Sequence, residues 1–128
     1  MSFPLLTLIA VCALPIFWSW VSGYHRRAQL GVIDNKNPRL QNAQLKDAGA
    51  RAVAAQKNAW EAAIVYIAAF VAATTANVPV ADYATLTLVF LALRVLHGVF
   101  YVMNQDILRS LAFTGGYGIC IYMMILAA

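Results

Sequence analysis

Four apolar stretches, residues 3–24, 51–76, 80–103 and 107–127, are separated by polar breaks. Each is about the 20 residues that a helix needs to cross a hydrocarbon core. They predict four membrane-spanning helices over about 3–24, 46–76, 80–103 and 107–127. In the second helix, Arg51, Asn58 and Glu61 stand at the head of a run that continues to Ala76 without a charge. At about 3.6 residues per turn the three share one broad face. In the third helix Arg94, His97 and Tyr101 recur at i, i+3 and i+7, again on one side. The fourth opens with Arg109 and Ser110. An ionised side chain near the bilayer centre costs about 2.5–3.5 kcal/mol on insertion scales, so such residues normally face other protein or a water-filled cavity. Running antiparallel, the three helices aim these polar groups at one layer.

The breaks fix the topology. The first connection, residues 25–44, is the only long one, and its Asp34-Asn35-Lys36-Asn37-Pro38-Arg39 stretch reads as a turn near Asn37, because the residue before a proline disfavours helix. The second helix is expected to begin around 41–46. Pro79 punctuates the second connection, and Asn104-Gln105-Asp106 makes the third a tight one, with Asp106 placed to cap the fourth helix. Pro15 removes a hydrogen bond inside the first helix and predicts a kink there. Short connections imply antiparallel neighbours, hence an all-α, up-and-down bundle of four transmembrane helices forming one domain over residues 1–128.

Composition agrees. Of the 128 residues 62% are apolar and 11% charged, with a mean hydropathy of +0.71, well outside the range of a soluble domain. The first stretch reads as a retained helix rather than a secretory signal, because its charges, His25-Arg26-Arg27, follow the apolar run. All nine Lys and Arg lie around two connections. Arg26, Arg27, Lys36, Arg39, Lys46, Arg51 and Lys57 surround the first, and Arg94 and Arg109 the third. The positive-inside bias puts both loops in the cytoplasm and both termini outside. Topology thereby accounts for the basic pI near 9.3 and removes the case for a nucleic-acid partner. Cys12 and Cys120 lie in apolar helices without CxxC or metal-ligand spacing and read as small packing residues.

The chemistry of the polar layer is specific. Arg51, Lys57, Arg94 and Arg109 supply positive charge and Glu61 one carboxylate, while Asn58, His97, Tyr101 and Ser110 supply hydrogen bonds. Such a set suits a small ligand with carboxylates for the arginines and a free amine for Glu61. A tripeptide thiol such as glutathione fits, and an arginine or a serine hydroxyl beside its sulfur favours the nucleophilic thiolate. Purely structural readings stand beside this one. Arg51 and Lys57 also suit anchors that snorkel to headgroups, Glu61 and Arg94 an interhelical pair, and Asn58 a polar staple. Trp18, Trp20 and Tyr24 suit an interfacial aromatic belt, and the Ala-rich runs suit close helix packing. Convergence at one depth favours a site.

At these residues the chain resembles the MAPEG superfamily, the membrane-associated proteins in eicosanoid and glutathione metabolism, and within it the short bacterial branch. The resemblance is carried by Asn37-Pro38-Arg39, by Arg51-Ala-Val-Ala-Ala-Gln-Lys-Asn58-Ala-Trp-Glu61, by Arg94-Val-Leu-His97 with Tyr101, and by Arg109-Ser110-Leu-Ala-Phe-Thr. It implies a homotrimer in a bacterial inner membrane, with glutathione in a cytoplasm-facing pocket between protomers and a lipophilic substrate entering from the lipid. Asn58, Glu61, His97, Tyr101, Arg109 and Ser110 then line the pocket. Lys57 matches a basic contact, Arg26 or Arg27 reaches in from a neighbour, and Arg109, assisted by Ser110, stabilises the thiolate. Three positions depart from the characterised enzymes. Ala54 stands where Arg is frequent, and Phe113 where Tyr is frequent. Leu40 replaces the acidic residue of the prostaglandin E synthase branch and argues against that isomerase chemistry. The leading expectation is a glutathione transferase-like protein acting on lipophilic electrophiles by conjugation or reduction. The alternatives are a non-catalytic structural or lipid-binding membrane protein with a degenerate site and, ranked lower, a small proton-coupled transporter.

Overall fold

The structure is a computed structural model that describes residues 2–128. Five helices follow in order: α1 (Phe3–Leu30), the short α2 (Pro38–Asn42), α3 (Asp47–Thr75), α4 (Val80–Val102) and α5 (Asp106–Leu126). The four long ones are each long and apolar enough to cross a membrane, as expected of a multi-pass membrane protein. At about 1.5 Å per residue, the 28 residues of α1 reach beyond the roughly 30 Å of a hydrocarbon core.

Side-chain pairings fix the packing as antiparallel. Thr7 meets Tyr66 and Trp18 packs with Ala55 and Ala59, so α1 runs against α3. Tyr66 stacks on Phe90 while Arg51 reaches Val102, so α3 runs against α4. His97 meets Phe113 at the start of α5. Helices α3 and α4 each touch the other three long helices, whereas α1 and α5 make no contact with each other among the described residues. The bundle therefore has an inner pair, α3 and α4, flanked on opposite corners by α1 and α5.

Small side chains let α3 come close to its neighbours. Ala52, Ala55, Ala59, Ala63, Ala69 and Ala73 are all buried, on the stripe expected of one helix face. Gly98 on α4 does the same for α1, since a Cβ there would lie 2.0 Å from Trp18 Cζ2. Trp18 is accordingly only 5% exposed, which removes it from the expected aromatic belt. Trp20 and Tyr24 remain exposed.

The connections correct several expectations. Helix α1 does not stop near Tyr24 but continues through Pro15 to Leu30 and ends on Gly31 at φ 77°, a left-handed position that suits glycine. The expected cytoplasmic start of the second helix is divided between α2 and a turn, and α3 begins at Asp47. Gln41 knits this region together: its amide donates to the Val32 carbonyl at 2.6 Å and accepts from Asp34 N at 2.9 Å. The turn before α2 is held by Asp34 Oδ1, which accepts from Lys36 N at 2.8 Å and Asn37 N at 3.1 Å. These backbone bonds, that from Asn37 foremost, hold the Asp34 carboxyl below its ordinary value of 3.8.

The two short connections share one device. Asn77 and Asn104 adopt φ of 57° and 61°, and the residues after them close back on the helix, Val78 N to Ala73 O at 3.0 Å and Gln105 N to Phe100 O at 2.8 Å. This is the Schellman pattern with asparagine in the left-handed site. Asp106 is the first residue of α5 rather than its cap; the cap position is Gln105, whose side chain makes no capping bond.

Candidate functional site

The two polar rows meet. Asn58 Oδ1 accepts from an Arg94 terminal nitrogen at 2.5 Å, and Asn58 Nδ2 donates to Glu61 Oε2 at 3.2 Å. The two ends of one amide are thus assigned by their partners, because Arg can only donate and a carboxylate only accept. The same Arg94 nitrogen lies 3.3 Å from His97 Nδ1. That ring nitrogen must be the acceptor, which leaves the proton of the neutral imidazole on Nε2. Glu61, Asn58, Arg94 and His97 therefore form a continuous chain of hydrogen bonds across α3 and α4.

One turn nearer the loops, the Tyr101 ring lies edge-on to His97 with centroids 5.6 Å apart, and the Arg109 guanidinium sits 4.3 Å from the Tyr101 centroid. This cation–π placement brings Arg109 of α5 into the layer. Arg51 Nε donates to the Val102 carbonyl at 3.1 Å, binding the start of α3 to the end of α4.

Behind the layer, toward the bundle's other end, lies a cavity of about 120 Å³ lined by Glu61, Ala62, Val65, Phe90, Arg94, Phe113, Tyr117 and Cys120. Arg94 is 4% exposed, and its Nε has no hydrogen-bond partner among the described residues. The sequence reading missed this cavity. Its signal was the spacing of Phe113, Tyr117 and Cys120, which at i, i+4 and i+7 lie on one side of α5.

The remaining predicted site residues lie elsewhere in the single chain. Lys57 lines a groove of about 590 Å³ between α1, α2 and α3, together with Arg26, Arg39, Gln56 and Trp60. Arg26 is 9% exposed and donates to the Asp34 carbonyl and Gln41 Oε1, each at 3.4 Å. Arg27 points away, its guanidinium bonded to the Gly31 carbonyl. Ser110 is exposed and its hydroxyl donates to the Asp106 carbonyl of its own helix at 2.9 Å, which keeps it out of the Arg94 cluster. Lys57 and Asn58, adjacent in sequence, thus face different neighbours of α3, a division that helical spacing alone did not reveal.

A four-helix membrane bundle with a buried arginine relay at one end defines a class of small integral membrane proteins with an intramembrane polar site. The chain belongs to the MAPEG family, whose sequence profile matches residues 3–128. No curated protein and no solved structure matches it.

Proposed function

We propose that this protein is a membrane-bound glutathione transferase-like enzyme that joins or reduces lipophilic electrophiles with the glutathione thiolate. The observation that carries the reading is the Glu61–Asn58–Arg94–His97 relay, which presents a carboxylate, an oriented amide and a guanidinium in one layer. In this reading Glu61 takes the ligand's ammonium group, Asn58 fixes its peptide and the arginines take its carboxylates. Arg109, held over Tyr101, supplies the positive charge that favours the thiolate. Ser110 assists once its hydroxyl leaves the Asp106 carbonyl.

The second basic set, Arg26 and Lys57 in the groove across α3, is the half-site that a neighbouring copy meets. A homotrimer gives each pocket both halves, and the separation of α1 from α5 leaves two corners free for such contacts. In this reading the cationic loops face the cytoplasm and both termini lie outside, and resemblance to the short bacterial branch supports a bacterial inner membrane. Holding the thiol beside an acceptor dissolved in the lipid supplies much of the acceleration in a two-substrate reaction.

The role of Arg109 is tested by steady-state turnover with an aryl halide acceptor. Arg109→Ala lowers kcat more than it lowers glutathione affinity, and equal loss of both contradicts the role. A non-catalytic reading draws support from Phe113, whose ring lies 6.3 Å from His97 without a hydroxyl to offer. Glutathione binding without turnover on any acceptor would favour it. Proton-coupled uptake in proteoliposomes would favour a transporter instead.

A further inference from the structure

We propose that the groove between α1, α2 and α3 binds an anionic phospholipid, its phosphate held by Arg39 and Lys57 and its chains leaving past Trp60 into the bilayer. Three cations, Arg26, Arg39 and Lys57, line this groove of about 590 Å³, and among the described residues no carboxylate does. Arg39 and Lys57 are exposed. Arg26 is the buried member, 9% exposed, and its hydrogen bonds go to neutral oxygens, the Asp34 carbonyl and Gln41 Oε1. The Asp34 carboxylate is turned instead to the backbone amides of Lys36 and Asn37. An ionised group this deep without an ion pair is costly. An anion in the groove offsets that cost through space, without having to touch Arg26.

The course of the groove selects a lipid over a soluble anion. It begins under α2 at Pro38, Arg39 and Asn42 and continues between Ser19 of α1 and Trp60 of α3. A hydrocarbon core of roughly 30 Å, counted back from the end of α3 at Thr75 at about 1.5 Å per residue, ends near Gln56. Lys57 therefore stands at headgroup level, and Trp60, 47% exposed, lies just on the hydrocarbon side, the depth that suits an interfacial indole. A cationic end among the headgroups and an aromatic end in the hydrocarbon follow the polarity order of a phospholipid. Three cations disfavour the ammonium of a zwitterionic headgroup, and Asn42 and Gln56 line the groove beside them, so a glycerol headgroup with hydroxyls to bond is the best match.

This site goes beyond the proposed function and does not rest on it. Lys57 serves both readings, whereas Arg39 and Trp60 serve only this one. A neighbouring copy that meets the groove would enclose the lipid at the seam between protomers.

The test is quenching of tryptophan fluorescence by lipids brominated on their chains. The detergent-solubilised full chain carries Trp20→Phe, which leaves Trp60 as the exposed tryptophan, since Trp18 is only 5% exposed. Brominated phosphatidylglycerol is expected to quench saturably and to bind about tenfold more tightly than brominated phosphatidylcholine, the size of one hydrogen bond to a charged group. Arg39→Gln should weaken the anionic lipid about fivefold, the share of one cation at an anionic lipid, and Arg39→Lys should restore it. Glycerol phosphate, the headgroup without chains, should fail to displace the lipid at equal concentration. Equal binding of the two lipids, an unchanged affinity in Arg39→Gln, or displacement by glycerol phosphate would each overturn the proposal. Glutathione calorimetry on the same Arg39→Gln protein, without lipid, keeps the two readings apart. Lipid binding in a protein that takes no glutathione would sink the transferase reading and leave this site standing, whereas loss of both ligands in Arg39→Gln would return the groove to glutathione and overturn the lipid assignment.

Discussion

Two buried polar clusters lie in opposite halves of this bundle, and they are built on opposite terms. Near the chain termini, Tyr66 is wholly buried and stacks on Phe90 with centroids 4.4 Å apart. Its hydroxyl is 3.2 Å from Thr7 Oγ1, which itself donates to the Pro4 carbonyl at 2.7 Å. Toward the long loop, Arg94 is almost as deeply buried, yet its buried Nε has no partner among the described residues and its partner Asn58 leads outward to the exposed Glu61. A satisfied cluster of neutral groups locks helices together, whereas an incompletely satisfied charge in the same bundle is the arrangement of a binding site. The end proposed to bind is thus distinguished by its unmet polar capacity rather than by its polarity.

The sharpest way to break the comparison is to damage the packing that both ends share. Gly98→Ala would put its Cβ into the Trp18 ring, and a forced shift of a buried indole costs about 3 kcal/mol, at the top of the overpacking range. Thermal unfolding in detergent should show it, and an unchanged midpoint would mean that α1 and α4 are not held at this spacing. Next comes Asn58→Asp, which sets a second carboxylate against Glu61 while keeping the shape. Glutathione affinity should fall about tenfold or more, as expected for like charges at close range; retained affinity would mean that the amide's donor end is dispensable.

At the other end, Tyr66→Phe removes one neutral hydrogen bond and should cost about 1 kcal/mol, read by the same unfolding assay, with no change in ligand affinity. The smallest effect belongs to the loop. The carboxyl of Asp34 is held below its ordinary value by the backbone amides of Asn37 and Lys36. Its contribution is complete above that ordinary value of 3.8 and is lost as pH falls through the lower, folded one. Amide exchange at Lys36 and Asn37 should therefore quicken only in that acid window, and Asp34→Asn should flatten the dependence.

The apolar runs fixed the number of long, membrane-spanning helices, and the spacings of Arg51, Asn58 and Glu61 and of Arg94, His97 and Tyr101 fixed which residues share a face. What local spacing could not convey was which neighbour each face meets. Trp18 read as an interfacial aromatic because its burial depends on Gly98, 80 positions away in sequence. Lys57 read as part of the Glu61 layer because one residue is only about 100° of helix rotation, enough to place it in another groove. The extension of α1 to Leu30 and the short α2 depend on Gln41 and on a reciprocal pair between the Gln29 amide and the Lys46 backbone, contacts with no helical period to betray them.

The most direct measurement is titration calorimetry of glutathione with the purified protein in detergent, comparing wild type, Glu61→Ala and Tyr66→Phe. Saturable binding that is weakened by Glu61→Ala and untouched by Tyr66→Phe is the predicted result. No heat at millimolar glutathione from a folded protein, or equal loss in both variants, would contradict the assignment of the binding site to the arginine end of the bundle.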